Sequence, residues 1–184
     1  TANNNDGWKG TAPVFQQIGN AEFYNKNYDY HQTITELPAG IYRVSVDGYY
    51  RAGNAPDDEK AFAAFEEGDD SLCFARLYAT SAAMATIEQP LMLASSQATA
   101  EPIGSNTSTN SYGHIPNDMA TAAAYMAAGK YLGNTLLCYV SDGQLTIGLK
   151  KEALIGGDWT LFDNWKLLYM GNSDEAFNYF AADY

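Results

Sequence analysis

Residues 157–170 constrain this chain most. After the turn at Gly156-Gly157-Asp158, Leu161, Asp163, Trp165, Leu167 and Tyr169 alternate with Phe162, Asn164, Lys166, Leu168 and Met170. A period of two belongs to a β-strand. One position on the more apolar face is the carboxylate of Asp163. A buried carboxylate is costly unless it is paired, hydrogen-bonded or bound to a metal, so Asp163 requires a local partner.

The same period recurs elsewhere. Leu37-Pro38-Ala39-Gly40-Ile41-Tyr42 reads as a tight turn into a strand. That strand carries Tyr42, Val44, Val46, Gly48 and Tyr50 on one face and Arg43, Ser45, Asp47, Tyr49 and Arg51 on the other. Ser141-Asp142-Gly143 marks a hairpin, and Leu145, Ile147 and Leu149 then alternate with Gln144, Thr146, Gly148 and Lys150. Strands are predicted near 21–25, 28–34, 41–51, 73–80, 85–94, 135–141, 143–150 and 160–170. The 14 tyrosines and 16 glycines suit a β-rich, turn-rich chain. Many short strands with Gly, Pro and Asn turns predict an all-β antiparallel sandwich rather than an α/β fold.

Three segments interrupt the strands. Residues 54–71 contain Pro56-Asp57-Asp58-Glu59 and an apolar run from Ala61 to Phe65, which predicts a short helix with acidic residues at its N-terminus. Residues 95–114 are rich in Ser, Thr and Asn and read as a long loop. An alanine-rich helix follows from Pro116 and stops near Gly129, with Met119, Ala122, Ala123 and Met126 as its buried stripe. The expected organisation is one sandwich domain over 1–171 and a helical or linker tail over 172–184, with Ser173 as a possible cap.

The net charge of −12 opposes nucleic acid and anionic membrane surfaces as partners. No apolar run reaches the length of a membrane-spanning helix, so no membrane insertion is expected. The abrupt polar start at Thr1 reads as a processed or excised domain. Cys73 and Cys138 are compatible with one disulfide or with two buried thiols. The chain lacks G-x-S-x-G, H-E-x-x-H, a glycine-rich phosphate loop and a zinc-type cysteine pair. Its only histidines are His31, on a polar strand face, and His114. The sequence therefore predicts no enzyme.

Gln32-Thr33-Ile34, residues 37–42, Gly48-Tyr49-Tyr50-Arg51-Ala52-Gly53 and Asp163-Asn164-Trp165 together resemble the galactose-binding-like jelly-roll domains. These are related to carbohydrate-binding modules and occur in surface and secreted proteins of anaerobic gut bacteria. The resemblance covers roughly residues 8 to 170, although the strand that should precede Gly7-Trp8 is short or missing. It implies a secreted or cell-surface location and neighbouring domains in a larger protein. It also implies a structural Ca2+, with Glu22 and Asp163 as its carboxylates and backbone carbonyls completing an oxygen shell.

The resemblance further implies a non-catalytic module that binds a polysaccharide or oligosaccharide and targets an attached enzyme or surface protein. Sugar sites combine aromatic rings with a few convergent polar groups. One candidate is the sheet face with Arg43, Asp47, Tyr49 and Arg51. The favoured candidate is the loop rim, where Arg51, Tyr112, His114 and Asn117 would supply hydrogen bonds and stacking, and Trp8 or Trp159 a platform. Trp8 and Trp159 read equally as core residues closing the ends of the sandwich. The competing function is a structural or adhesion domain with no sugar site. A hydrolase would need two carboxylates facing one another across a cleft.

Overall fold

The computed structural model describes residues 5–16 and 19–182. Residues 1–4, which hold most of the polar start, and 183–184 at the end of the tail lie outside them. The strands are β1 (Trp8–Gly10), β2 (Val14–Phe15), β3 (Ala21–Tyr24), β4 (Tyr28–Ile34), β5 (Gly40–Arg51), β6 (Arg76–Ser81), β7 (Met84–Pro90), β8 (Thr107–Asn110), β9 (Gly113–Pro116), β10 (Asn134–Val140), β11 (Leu145–Lys151) and β12 (Trp159–Gly171). The helices are α1 (Ala55–Glu66), α2 (Met119–Ala127) and α3 (Asp174–Ala182), with a 3-10 turn at Ala94–Gln97.

Among the described residues these strands form two five-stranded antiparallel sheets, ordered β1-β4-β11-β6-β7 and β10-β5-β12-β3-β2, and a separate β8-β9 hairpin. The chain is an all-β antiparallel sandwich with short helices in its loops. Its core lies between the sheets and takes the predicted apolar faces: Tyr42, Val44, Val46 and Tyr50 from β5, Leu136, Cys138 and Val140 from β10, and Leu145, Ile147 and Leu149 from β11. Full burial of each large side chain contributes about 1.5–3 kcal/mol. Cys73 and Cys138 are buried free thiols, and burial pushes both up to about 12, which keeps them unreactive.

The strict alternation of β12 does not hold along its whole length. A register shift between Asp163 and Lys166, with Asn164 at φ 53°, is a β-bulge. Before it, Phe162 faces the core and Leu161 faces outward; beyond it, Trp165 and Leu167 pack inward. Leu161 and Trp165 therefore lie on opposite faces, and Asp163 stands at the bulge rather than within one apolar stripe. There its Oδ1 accepts the Asn164 N–H at 2.7 Å.

The outer face of β5 and β12 is not a broad open surface either. Tyr49, Leu161 and Trp159 form a second core with Ile115, Met119, Ala122, Tyr125 and Tyr131. The chain between 91 and 133 folds back over this face, so Tyr49 is fully buried and Asp47 and Arg51 nearly so. Residues 95–114, expected as a loop, contain most of the 3-10 turn, all of β8 and the first half of β9. In α2 the buried residues are Met119, Thr121, Ala122 and Tyr125, so Thr121 and Tyr125 take the places expected for Ala123 and Met126.

Polar anchors hold this covering layer. Asn54 caps α1 in a capping box with Asp57. Asp58 is fully buried and accepts from Ala52 N, Ser95 N and Ser95 Oγ at 2.9, 2.7 and 2.6 Å, tying α1 to the end of β5 and to the 3-10 turn. Behind the end of β5, Asp158 Oδ2 accepts from Lys151 Nζ at 2.5 Å and from Tyr50 Oη at 2.9 Å, all three buried. Helix α3 rests on the sandwich through Phe177, whose ring lies 5.3 Å from that of Tyr139.

Candidate functional site

Register places three side chains in one row on the outer face of the second sheet: Tyr24 of β3, Trp159 of β12 and Arg51 of β5. The neighbouring row holds Glu22, Leu161 and Tyr49. Phe23 points into the core, so strand alternation sends Glu22 and Tyr24 outward. The segment that opens α2 overhangs these rows, and Asn20 Nδ2 secures it by donating to Met119 O at 2.9 Å. Between row and overhang lies a depression of ≈ 370 Å³, lined by Tyr24, Trp159, Arg51, Glu22, Asn117 and Asp118 among others.

The side chains inside it are fixed by one another. Arg51 Nε donates to Gly53 O at 3.0 Å, and Nη1 donates to Asn117 Oδ1 at 2.8 Å. The guanidinium carbon lies 5.2 Å from the centroid of the Trp159 ring. Trp159 Nε1 in turn donates to Glu22 Oε2 at 2.7 Å. Trp159 is only 3% exposed, so it forms the floor of the depression and is not an open platform. The exposed ring is that of Tyr24, at 57%.

Asp118 caps α2: Oδ1 accepts from Thr121 N at 2.7 Å and Oδ2 from Asn106 Nδ2 at 3.0 Å. Burial alone would raise its carboxyl, but the hydrogen bonds from Thr121 and Asn106 outweigh it and hold Asp118 below the usual carboxylate range. A general acid needs the opposite shift. Glu22 and Asp118 line the same depression, yet Asp118 is a structural cap whose two oxygens are both engaged. One guanidinium and two carboxylates leave the depression slightly negative, which suits a neutral ligand better than an anionic one.

The sequence-derived residues thus separate into groups. Arg51, Asn117 and Trp159 come together, joined by Glu22. Tyr112 and His114 lie on the β8-β9 hairpin and are held there by other partners. Tyr112 Oη donates to Glu66 Oε2 at 2.9 Å and its ring meets Phe62 edge-on at 4.8 Å; His114 Nδ1 lies 3.2 Å from both Thr107 Oγ1 and Thr109 Oγ1. Trp8 sits in β1 of the other sheet, stacked on Tyr30 at 4.5 Å. Tyr24 was not among the expected residues, although the alternation Ala21-Glu22-Phe23-Tyr24 marks it as outward-facing once Phe23 is assigned to the core.

Glu22 and Asp163 do not meet in one oxygen shell. Glu22 is held by Trp159 in the depression, whereas Asp163 lies opposite Asp47 and lines a different hollow beside Trp8. Among the described residues no group of three or more His, Cys, Asp or Glu side chains could hold a metal ion. The two carboxylates expected to share a calcium thus line separate hollows. Among the same residues no helix is long and apolar enough to cross a membrane.

No family model matches the chain, and no curated protein matches it. Among solved structures it aligns with the carbohydrate-binding module TmCBM61 in complex with beta-1,4-galactotriose. The identity is 13% and the TM-score 0.39, over 89% of this chain and 83% of that one. A likeness this distant carries no argument about the site or its ligand.

Proposed function

We propose that this chain is a non-catalytic carbohydrate-binding module that holds a neutral glycan in the depression beside Tyr24. The observation that carries the reading is the exposed Tyr24 ring, set in register beside Trp159 and Arg51 and flanked by Glu22 and Asn117. A pyranose ring has an apolar C–H face and a rim of hydroxyls. Tyr24 offers the flat apolar surface. Arg51, Glu22 and Asn117 offer planar groups with donors and acceptors, already ordered by their mutual hydrogen bonds, so little further ordering cost falls on binding. The volume, near the lower end of ligand pockets, which run from about 300 to 1,000 Å³, suits one or two sugar residues of a longer chain.

Binding of this kind is an equilibrium without bond cleavage. A hydrolase reading gains nothing from Asp118, whose carboxyl is committed to the α2 cap. In a secreted or cell-surface protein, such a module would keep an attached enzyme or receptor near its polysaccharide and gain strength from repeated weak contacts along the polymer.

The spacer reading draws on one observation: Trp159 is buried and Trp8 and Trp165 are partly buried, so among the described residues no tryptophan stands fully open. Affinity electrophoresis against plant and mucin polysaccharides decides between the two. Retardation by any of them that Tyr24→Ala removes supports the module. Unretarded migration across the whole panel supports the spacer.

A further inference from the structure

The bulge in β12 has a second effect, at the open edge of the sandwich. It turns Trp165 inward, where its ring lies 4.8 Å from that of Trp8. Trp8 in turn stacks on Tyr30, nearly parallel at 8°. These three rings, with Phe15 and Phe162, line a cleft of ≈ 290 Å³ whose polar border carries Gln32, Asp163, Asn164 and Lys166.

The indole N–H of Trp165 is buried and, among the described residues, meets no acceptor. The contrast with Trp159, whose N–H is paired to Glu22, is plain. A buried donor without a partner is unfavourable, and native structures supply one from protein, water or ligand. Here the unpaired donor lines a cleft walled by aromatic rings. The non-glycine left-handed residue Asn164 adds local backbone strain at the same spot, a feature that concentrates at ligand-binding positions.

We propose that this cleft is a second binding site, for a single neutral sugar ring. The aromatic walls would take the C–H face, and a hydroxyl or ring oxygen would accept from Trp165 Nε1. Asp163 and Lys166 carry opposite charges, so the border favours a neutral ligand. The volume sits at the bottom of the ligand-pocket range and fits one ring rather than a chain. A purely apolar aromatic ligand would satisfy the walls and leave the indole donor unpaired. Trp159 and Trp165 are six residues apart on β12, about 20 Å along a strand that rises about 3.3 Å per residue, so one ring does not touch both sites. The proposal does not depend on the Tyr24 site.

The chain has three tryptophans, hence three indole N–H signals in a 15N-correlated NMR spectrum, assigned by single Trp→Phe variants. The probes are galactose, glucose, mannose and N-acetylglucosamine, each titrated separately, with indole as an apolar control. At least one sugar is expected to shift the Trp165 signal saturably, and the shift is expected to persist in Tyr24→Ala. Trp165→Phe keeps a ring in place and removes the donor; in it the Trp8 signal no longer responds to that sugar. Three results would overturn the proposal: a Trp165 signal that no sugar moves, one that only indole moves, or a response that vanishes in Tyr24→Ala. A Trp165 response with no Trp159 response would leave this site standing whatever the polysaccharide gels show for Tyr24.

Discussion

Arg51 and Trp159 hold one another in place: the guanidinium lies 5.2 Å from the indole centroid, while its Nη1 donates to Asn117 and its Nε to Gly53. Each partner comes from a different segment, so this one side chain joins β5, the start of α2 and β12. Arg51→Met would leave the buried Gly53 carbonyl without its side-chain donor and release the Asn117 side chain that holds the start of α2. We expect a loss of about 2–3 kcal/mol in urea denaturation. Arg51→Lys, which cannot reproduce the forked geometry, should recover less than half of it.

The buried Lys151–Asp158 pair also bears on the site, because Asp158 precedes Trp159 and Tyr50 precedes Arg51. Removing one partner leaves an uncompensated buried charge. Lys151→Met alone should cost about 3–5 kcal/mol, and Lys151→Met combined with Asp158→Leu and Tyr50→Phe should recover most of that loss. Thermal unfolding of the single and triple variants checks this; equal destabilisation of both would show that the pair is not the source.

Asp118 makes stability depend on acid. Its folded carboxyl titrates below the usual value, so its contribution is fully present above the unfolded value of about 3.9 and is lost as pH falls through the lower folded value. Asp118→Ala should cost about 1 kcal/mol at pH 7, the usual worth of a helix cap. The difference from wild type should shrink below pH 4.

Asp163 has the opposite sign. Burial first, and the facing Asp47 carboxylate after it, raise its carboxyl above the usual value. A raised carboxylate favours the fold while protonated, and that advantage is lost as pH rises from the unfolded value through the folded one. Asp163→Asn, which can still accept the Asn164 N–H, should match or exceed wild-type stability at pH 7 and lose that advantage below pH 4. Denaturant midpoints at the two pH values give the answer, and a clear loss at pH 7 would mean that the charge is needed.

The inward face of β5 was readable because burial between two sheets writes itself as alternation: Tyr42, Val44, Val46 and Tyr50 are core as expected. The outward face was not. Tyr49, Asp47 and Arg51 look solvated in sequence, and what buries them is a segment beginning some forty residues later, whose polar composition hides a hairpin. The bulge at Asn164 was equally invisible, because an asparagine in the left-handed conformation leaves no mark in a polar/apolar pattern. For the site, loop position drew attention to Tyr112 and His114, while the informative signal lay in the short alternation of Glu22, Phe23 and Tyr24. Side-chain chemistry and chain position mark Arg51, Asn117 and Trp159 in the sequence, but their mutual contacts depend on tertiary structure.

The hairpin pair offers a clean control. Tyr112 and His114 are bound to Glu66, Thr107 and Thr109 and lie outside the depression. The Tyr112→Ala/His114→Ala double variant should keep glycan affinity within about twofold, a change of about 0.4 kcal/mol. Isothermal titration measures it directly, and abolished binding would move the site onto the hairpin.

Affinity electrophoresis of wild type, Tyr24→Ala and the Tyr112→Ala/His114→Ala double variant, run side by side through gels carrying plant and mucin polysaccharides, decides whether Tyr24 holds a glycan. We predict retardation of the wild type by at least one polysaccharide, an unchanged double variant, and affinity reduced about tenfold in Tyr24→Ala, equivalent to about 1.4 kcal/mol. A Tyr24→Ala variant that migrates like wild type in a gel that retards the wild type would contradict the proposed site. A wild type that no polysaccharide retards would contradict the binding function itself.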